Sequence, residues 1–293
     1  MLVTGAAGRV GREVVRAVRA RGMRVRAAAP SVEVVHALHG PDVEAVHLDV
    51  KEPSSFDQAT SSCETMFLVR PTATADVHPS VNALVDAAVG NGVGHVVFLS
   101  VAGVGESPLV PHYLVEQHLK RRASDCHTLL RPGFFAQNLG DIYRLDIAED
   151  DRLFVPASHG RVAFVDVRDV ADVAAMILEK PDLHRGKAYT LTGPAAVSFE
   201  EVATLLTEVL GRSIQYESAS VVGYVRHLYE RGLPLGQVAM QTLLHVGLRY
   251  GQAERVDHTM ENLLGHRGRT VERYVSENEH LWQRGQARAV AHV

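Results

Sequence analysis

The chain has 293 residues, of which 46% are hydrophobic and 22% are charged, and its formal net charge at pH 7 is −4. This length is sufficient for one large α/β domain, or for one domain with a smaller lobe. The weakly acidic charge gives no electrostatic reason to expect a nucleic-acid or membrane-surface partner. Because no stretch reaches 18 uninterrupted apolar residues, we predict no membrane span.

The two cysteines, Cys63 and Cys126, fall in or beside predicted core strands. A free cysteine in such a position usually behaves as a small apolar residue. We therefore expect neither a disulfide nor a zinc site, and a reducing cytoplasm fits this usage. The first residues lead directly into a strand and a glycine turn, so we identify no signal peptide. The 16 histidines are scattered, and we predict no metal site.

The first half of the chain alternates short β-branched runs with helical patterns, which is typical of a parallel sheet flanked by helices. The predicted strands are Met1–Thr4, Met23–Ala29, Glu44–Asp49, Thr65–Val69, His95–Ser100 and Cys126–Arg131. An amphipathic helix follows the first strand, and Gly22 is placed to end it. Another helix is predicted over Ser80–Val89. With right-handed crossovers, these elements predict an α/β fold with a doubly wound parallel sheet of the Rossmann type.

The pattern changes after about residue 140. Short strands are predicted at Ala163–Val167 and Ala188–Leu191, with a helix over Asp169–Glu179 between them. The residues Ser198-Phe-Glu-Glu201 form a capping box that begins another helix. From about residue 219 onward the patterns are mainly helical.

These patterns divide the chain into two parts. We predict a nucleotide-binding core over residues 1–150, to which 163–180 returns. Residues 151–293 then form mostly a smaller helical lobe that binds the substrate, with a frayed tail after about residue 282.

A glycine-rich stretch, "VTGAAGRVG" at residues 3–11, follows the first predicted strand. It places Gly5, Gly8 and Gly11 in a G-x-x-G-x-x-G pattern at the start of a helix, which is the context of a dinucleotide-binding loop. Gly5 permits a tight turn, Gly8 lets the backbone approach a pyrophosphate, and Gly11 allows the helix to pack closely on the strand. We therefore predict that this loop binds a dinucleotide.

The end of the second predicted strand indicates which dinucleotide. NAD-selective folds place a carboxylate there for the ribose 2′-hydroxyl, whereas this chain has Ala28-Ala29-Pro30-Ser31. Arg9 and Arg12 flank the glycine loop and suit a 2′-phosphate. The sequence therefore favours NADP(H) over NAD(H). Asp49, at the end of the third strand, is placed either to accept a hydrogen bond from adenine or to cap a helix.

Ser100 ends the fifth predicted strand, and Tyr113 follows 13 residues later, a spacing found in many short-chain dehydrogenases. In that set the serine holds the substrate oxygen, the tyrosine donates a proton, and a lysine four residues further lowers the tyrosine pKa. Gln117 stands at the lysine position. His112 is an alternative proton donor, because the ordinary pKa of histidine is about 6.5. Neighbouring helical residues point about 100° apart, so we do not expect His112 and Tyr113 both to face the nicotinamide.

These residues belong to longer stretches that resemble a known family. The stretches are "FLSVAG" (98–103), "PHYLVEQHL" (111–119), "TLLRPGFFAQNL" (128–139), "FVDVRDVADVAA" (164–175) and "YTLTGP" (189–194). They resemble the NmrA-like group of atypical short-chain dehydrogenases from residue 1 to about 282. That group includes quinone reductases, triphenylmethane dye reductases, isoflavone-type reductases, polyketide ketoreductases and non-catalytic redox sensors.

The resemblance implies a role for each matching position. The three glycines would line the pyrophosphate, Asp49 the adenine, residues 69–71 the ribose, and residues 132–134 the nicotinamide. Two positions depart from the family, which often has an arginine at Pro30 and a lysine at His112. The full predicted cofactor-binding set is Gly5, Ala7, Gly8, Arg9, Val10, Gly11, Arg12, Asp49, Val50, Val69, Arg70, Pro71, Ser100, Pro132, Gly133 and Phe134.

The leading hypothesis is a cytoplasmic NAD(P)H-dependent reductase, with NADPH preferred, that acts on a flat aromatic carbonyl or quinone. Its incomplete serine–tyrosine–lysine set suggests a specialised substrate, for example a polyketide-type ketone of antibiotic biosynthesis. Two alternatives stay open: a dinucleotide-binding redox sensor without catalysis, and a non-redox isomerase or cyclase on the same fold. The sequence does not define the oligomeric state. Residues that either cover the substrate or form the lobe's core are Phe154, Tyr189, Tyr224, Tyr229, Leu233 and Leu235.

Overall fold

A computed structural model describes residues 1–72, 74, 76–104 and 110–284. The strands are β1 (Leu2–Val3), β2 (Arg26–Ala29), β3 (Glu44–His47), β4 (Thr65–Val69), β5 (His95–Leu99), β6 (His127–Pro132), β7 (Arg152–Val155), β8 (Arg161–Val162), β9 (Lys187–Leu191), β10 (Val197–Ser198) and β11 (Gln215–Ser218). The helices are α1 (Arg9–Ala20), α2 (Val32–His39), α3 (Phe56–Thr60), α4 (Ala83–Gly90), α5 (Pro111–Arg122), α6 (Arg144–Glu149), α7 (Val167–Glu179), α8 (Phe199–Leu210), α9 (Val221–Glu230), α10 (Leu235–Leu248), α11 (Thr259–Leu264) and α12 (Val271–Glu277).

Seven strands form one parallel sheet in the order β3-β2-β1-β4-β5-β6-β9. The order reverses between β1 and β4, which is the point where doubly wound sheets bind ligands at the carboxyl ends of their strands. The interior strand β5 is buried at all five positions, because helices cover both faces of the sheet. The predicted fold class is confirmed.

Helix α1 shows why the helices next to the sheet form where they do. Gly11, Val14, Val15, Ala17 and Val18 are buried, so one face of the helix is apolar and packs inward. Gly22 follows with a φ of 72°, a left-handed conformation that favours glycine and ends the helix. The same logic holds at α8, where the predicted capping box between Ser198 and Glu201 is present in full.

Some predicted elements differ from the structure. The prediction of a strand over Ala163–Val167 was wrong: only Val165 makes a bridge, to Phe135, and the strand of this region is β8. The helix predicted over Ser80–Val89 begins as a wider π-type turn at His78–Asn82 and becomes α-helical at Ala83. The first strand has two residues instead of four because the chain turns into the glycine loop at Thr4.

The chain divides into two compact units. Unit 1 comprises Met1–Pro132, Val167–Leu191 and Thr259–His266. It contains the seven-stranded sheet with α1–α5, α7 and α11, and a core of buried residues that extends from Leu2 to Leu129. Unit 1 pauses where β6 ends, because the following chain packs on a core of its own. The predicted domain boundary at residue 150 stays a prediction.

Unit 2 comprises Gly133–Asp166, Thr192–His258 and the described residues from Arg267 on. It contains the two-stranded pairs β8–β10 and β7–β11 together with α6, α8–α10 and α12. Its main core includes Tyr143, Phe199 and Trp282, and a second, smaller cluster lies under α9 and α10. Within the described residues, no helix has the length and apolar character that crossing a membrane requires.

Candidate active site

The glycine loop of unit 1 makes a tight turn at Gly5, and Gly11 packs closely against the loop backbone. Gly5 has a φ of 61°, and its carbonyl oxygen accepts a hydrogen bond of 2.8 Å from the Gly8 N–H. A Cβ atom added at Gly11 would lie 2.1 Å from the Gly5 oxygen, and one added at Gly8 would lie 3.2 Å from it. Gly11 therefore has no room for a side chain, since the atoms that a Cβ would meet belong to the backbone.

The loop leads into the N-terminus of α1 without a side-chain cap. Gly8 is the residue before the helix, and no side chain accepts a hydrogen bond there. The first N–H groups of a helix have no intrahelical partner, and they carry the positive end of the helix dipole. Gly5, Ala7 and Gly8 are exposed. This arrangement suits an anionic phosphate, because its oxygens accept hydrogen bonds from the first N–H groups of a helix.

Two side chains that the sequence analysis did not single out support the loop. The Val69 N–H donates to Thr4 Oγ1 at 2.9 Å, which joins the loop to β4. His39 Nε2 lies 2.9 Å from the Ala6 carbonyl oxygen. A carbonyl only accepts, so the Nε2 atom of His39 carries the proton and donates it. Both contacts depend on tertiary structure and leave no local sequence signal.

The end of β2 carries no carboxylate, but one lies a few residues further along the chain. Pro30 is exposed, and Ser31 caps α2 by accepting a hydrogen bond of 3.2 Å from the Val34 N–H. The Ser31 hydroxyl also donates to Glu33 Oε2 at 2.8 Å. Contacts to the Glu33 backbone and to Ser31 lower the pKa of Glu33 from its ordinary value. Arg12 is exposed on the first turn of α1.

Asp49 lies just after β3, where its carboxylate accepts a hydrogen bond of 2.9 Å from the Lys51 N–H. This contact closes a local turn, so at least one oxygen of Asp49 acts as a cap. The next residue, Val50, is buried in the core of unit 1. Adenine binding by Asp49 stays a prediction.

Ser100 lies in a buried group of charged and polar side chains that the sequence analysis did not predict. Its Oγ donates to Glu116 Oε1 at 2.6 Å, and Arg131 donates to both oxygens of Glu116, from Nε at 2.9 Å and from Nη2 at 2.5 Å. Ser100 and Glu116 are both almost fully buried. The contact with Glu116 raises the pKa of Arg131. Arg131 therefore supplies the positive charge that a buried carboxylate needs.

This contact restricts what Ser100 can do. A serine hydroxyl has one hydrogen to donate, and that of Ser100 is held by a carboxylate, which is a stronger acceptor than a ketone. A substrate carbonyl would have to compete with Glu116 for it. The predicted role of Ser100 in binding the substrate oxygen stays a prediction. Glu116 is the acceptor that a substrate carbonyl would have to displace.

His112 lies near the first turn of α5, beside Arg70 and Phe98. Arg70 Nε donates to His112 Nε2 at 3.5 Å, and the rings of His112 and Phe98 are 6.0 Å apart. Because Nε2 accepts, the ring proton is on Nδ1. Burial, and secondarily the positive charge of Arg70, lower the pKa of His112 to about 3. His112 is therefore neutral near pH 7, and its ring proton on Nδ1 can donate a hydrogen bond but is not the acidic proton of an imidazolium.

Tyr113 and Gln117 lie one turn apart on α5, and both are partly exposed. A glutamine side chain is uncharged, so it does not stabilise a phenolate as a lysine does. The Tyr113 N–H donates to the Val110 carbonyl at 2.9 Å, which begins the helix. Participation of Tyr113 in proton transfer stays a prediction.

The remaining predicted cofactor residues follow β4 and β6. Arg70 Nη1 donates to the carbonyls of Pro71 at 2.9 Å and Thr74 at 2.6 Å, so the arginine shapes the turn after β4. Pro132 ends β6, and its carbonyl accepts from the Ala102 N–H at 2.9 Å. Gly133 and Phe134 begin unit 2, where the Phe134 ring lies 5.6 Å from that of Phe164. Among the described residues, no group of three or more metal-ligating side chains occurs.

Comparison with known proteins gives consistent matches along most of the chain. A sequence model of the NmrA-like family matches residues 1–277. The chain is 31% identical over 232 residues to agroclavine dehydrogenase of Claviceps fusiformis, which covers 78% of this chain and 79% of that protein. It is 31% identical over 239 residues to NAD(P)H azoreductase of Xenophilus azovorans, which covers 80% and 82% respectively.

The fold also matches a solved structure with a bound dinucleotide. The structure of an NADPH-dependent quinone oxidoreductase from Escherichia coli, complexed with NADPH, superposes with a TM-score of 0.85. The two chains are 24% identical, and the match covers 94% of this chain and 98% of the other.

Proposed function

Because this chain belongs to the NmrA-like family, as its sequence motifs predict, we propose that it is an NADPH-dependent reductase of a flat aromatic carbonyl or quinone. The observation that carries the proposal is the glycine loop. Gly11 admits no side chain beside the Gly5 carbonyl, and the uncapped helix that follows offers N–H donors to a phosphate. The names of the azoreductase and quinone oxidoreductase relatives support a redox reaction on an aromatic substrate.

The residues of unit 1 fit a bound NADPH. Gly5, Gly8 and Gly11 would hold the pyrophosphate, and exposed Arg12 provides a positive charge for a 2′-phosphate. When bound, NADPH supplies a hydride to the carbonyl carbon, and the oxygen takes up a proton. Glu33 is the nearby acid that would oppose a 2′-phosphate, so NADH is a necessary comparison in any assay.

His112 is our preferred partner for the substrate oxygen. A carbonyl that receives a hydride develops negative charge on its oxygen, and a neutral donor fixed in place stabilises that charge. Arg70 directs the ring proton of His112 to Nδ1, and its positive charge favours the same neutral form. A hydroquinone product takes its proton from water without a strong protein acid. This chemistry therefore does not need the missing lysine at Gln117.

Ser100 then acts mainly as a positioning residue. It joins the end of β5 to Glu116 on α5, and Arg131 joins the same carboxylate to β6. These contacts fix α5, which carries His112 and Tyr113, against two strands of the sheet.

The test measures NADPH absorbance while the purified protein is offered quinones and hydroxylated polycyclic ketones, with NADH in parallel. We expect oxidation of NADPH, and we expect His112→Phe to lower kcat by about a hundredfold through loss of one oxyanion donor. Tyr113→Phe, the neighbouring ring on α5, is the matched control and is expected to keep kcat within about threefold. If Tyr113→Phe lowers kcat and His112→Phe does not, the assignment of the donor is wrong.

One observation favours the dinucleotide-binding sensor as a second candidate. The only hydrogen of the Ser100 hydroxyl is held by Glu116, and Gln117 stands at the usual lysine position, so two members of the usual catalytic set are not available in their usual roles. A sensor would bind NADPH without oxidising it. Tight NADPH binding with no turnover of any ketone or quinone in the panel would support the sensor and overturn the reductase.

A further inference from the structure

Helices α9 and α10 of unit 2 form a hairpin that exposes apolar side chains on its outer face and buries polar groups on its inner face. Its outer face is apolar: of the 12 large apolar side chains that are exposed in the described residues, nine lie between residues 221 and 250. They include Val222 on α9, which is 80% exposed, and Leu243 on α10, which is 68% exposed. The inner face, by contrast, carries buried polar groups.

Three polar atoms on this inner face are buried and have no hydrogen-bond partner in the described structure. They are the hydroxyl of Tyr224 on α9, and Thr242 Oγ1 and Gln241 Oε1 on α10. Tyr224 is 1% exposed and Thr242 is 8% exposed. A buried polar atom without a partner costs about 1–3 kcal/mol, so three on one hairpin require an explanation.

His245, on the same helix α10, has hydrogen-bond partners at both ring nitrogens. His245 Nδ1 lies 2.6 Å from the Gln241 carbonyl oxygen, so Nδ1 donates and Nε2 accepts from the Tyr143 hydroxyl. Burial lowers the pKa of His245 to about 4, so the ring is neutral near pH 7. Tyr143 and His245 thus satisfy one another, while Tyr224, Thr242 and Gln241 on the same side of the hairpin do not.

Tyr224 belongs to a group of aromatic rings. The Tyr224 ring is 5.3 Å from that of His245, and the rings of Tyr143 and Phe134 are 5.7 Å and 5.6 Å from His245. Thr242 and Gln241 precede His245 by three and four residues, which places them on the same face of α10. A flat ring that carries oxygen atoms matches these surroundings, since aromatic neighbours favour its faces and edges.

The three atoms also define what such a ring must carry. Gln241 Oε1 only accepts, so it requires a donor such as a phenolic hydroxyl. The hydroxyls of Tyr224 and Thr242 donate, so they suit a carbonyl oxygen. A molecule with both a phenol and a carbonyl carries a partner of the right kind for each of the three atoms.

Among the described residues, the hairpin has only a small apolar cluster of its own. Its buried members are Ala219, Tyr224, Leu228 and Val238, with Phe154 and Leu233 packed against them. The ion pair of Arg231 with Asp146, at 2.6 Å, holds the end of α9. Segments held by few buried apolar contacts open locally at low free energy, so we expect the inner face of the hairpin to open for a ligand more readily than the main core of unit 2.

We propose that the inner face of the α9–α10 hairpin binds a hydroxylated aromatic ketone or quinone, with Tyr224 and Thr242 donating to its carbonyl and Gln241 accepting from its hydroxyl. This inference goes beyond the proposed function, because all three residues belong to unit 2 and binding there does not require the reaction. It assigns ligand recognition to three residues of unit 2 and selects hydroxylated rings over unsubstituted ones.

The test is calorimetric binding of two ketones, 6-hydroxy-1-tetralone and 1-tetralone, to protein loaded with NADP⁺, so that no reduction occurs. We expect wild type to bind the hydroxylated ketone about tenfold more tightly, the worth of one hydrogen bond of about 1.4 kcal/mol. Gln241→Met is expected to abolish this preference while leaving the affinity for 1-tetralone unchanged. Tyr224→Phe and Thr242→Val are expected to weaken both ketones by about five- to tenfold.

Tyr250→Phe is the matched control, because Tyr250 lies two residues after α10 and is 79% exposed. It should bind both ketones like wild type, and circular dichroism should show that every variant is folded. The inference is overturned if wild type binds neither ketone, or if Tyr224→Phe binds them as Tyr250→Phe does. A failure of the proposed function is separate: the hydroxyl preference would remain while no ketone or quinone oxidises NADPH.

Discussion

At the carboxyl edge of the sheet in unit 1, three polar side chains at or next to strand ends have partners. Thr4 accepts from the Val69 N–H, Ser100 donates to Glu116, and Arg131 holds both oxygens of that glutamate. On the α9–α10 hairpin of unit 2, Tyr224 and Thr242 are also buried, but their hydroxyls have no partner in the described structure.

This difference in hydrogen bonding indicates different roles for the two regions. Paired polar groups hold backbone in one place, which suits a site for a cofactor that is the same in every turnover. Unpaired groups carry an energetic cost that a ligand removes when it binds, so they favour the ligand that supplies the missing partners. Four predictions test this contrast, from the largest expected effect to the smallest.

The largest effect is expected at the glycine loop. In Gly11→Ala the new Cβ would lie 2.1 Å from the Gly5 oxygen and 2.6 Å from the Gly5 carbonyl carbon, so the loop must move. We expect NADPH affinity, measured by fluorescence titration, to fall by about a hundredfold, or about 2.7 kcal/mol. Gly90→Ala at the end of α4 is the control, since its Cβ meets nothing within 4 Å. Unchanged affinity in Gly11→Ala would show that the dinucleotide binds elsewhere.

The next effect concerns the buried ion pair of unit 1. Glu116→Gln leaves the partly exposed Arg131 charge without its carboxylate, and we expect the free energy of unfolding in urea to fall by about 2 kcal/mol. The exposed pair of Arg226 and Glu230 on α9 is the contrast, and Glu230→Gln should cost less than about 1 kcal/mol. Equal losses of unfolding free energy in the two variants would show that burial does not increase the contribution of the Glu116 ion pair to stability.

Part of this architecture could be predicted from sequence, for a physical reason. Strands that are buried on both faces have continuous apolar runs, so β4 and β5 were predicted almost residue by residue. The glycine spacing predicted the loop because backbone geometry at Gly5 and Gly11 is local. The strand predicted at Ala163–Val167 was wrong because tertiary packing, which the local pattern does not contain, leaves only one bridge there.

The polar groups of the candidate site were harder to predict. Ser100, Glu116 and Arg131 come from a strand, a helix and another strand, so their contact depends on tertiary structure. The one signal was a charged residue between Val115 and Leu119 on the buried face of α5, which requires a partner. The neutral state of His112 likewise follows from burial beside Arg70, although the residue itself was predicted.

A third prediction concerns the pH dependence of stability, to which one buried histidine in each unit contributes. The folded pKa values of His112, about 3, and His245, about 4, lie below the unfolded value near 6.5. The unfolded chain therefore binds more protons between these limits. The stability that each neutral ring contributes is complete above about pH 6.5 and is lost as the pH falls toward the folded pKa, by up to about 1.4 kcal/mol per pH unit.

We therefore expect the stability of wild type in urea to decrease from pH 7 to pH 5, and His112→Gln or His245→Gln to make this decrease less steep. His47 is the control of opposite sign, because Glu52 and then the Pro30 carbonyl raise its pKa. Its contribution is present below the unfolded pKa and is lost as the pH rises through the folded value. An unchanged slope in both buried-histidine variants would contradict their neutral burial.

The smallest effect is the most direct comparison of the two regions, since each contains a buried threonine. Thr128 Oγ1 in unit 1 donates to the His184 carbonyl at 2.7 Å and lies 2.9 Å from His95 Nε2, whereas Thr242 Oγ1 in unit 2 has no partner in the described structure. Replacement by valine removes the hydroxyl and keeps the shape. We expect Thr128→Val to lower the free energy of unfolding by about 1–2 kcal/mol, because it leaves a buried carbonyl unpaired. Thr242→Val should leave stability unchanged or raise it by about 1 kcal/mol, while it weakens ketone binding. If both variants lose the same stability in urea at pH 7, the Thr242 hydroxyl is already satisfied without ligand, and the inner face of the hairpin is a structural surface.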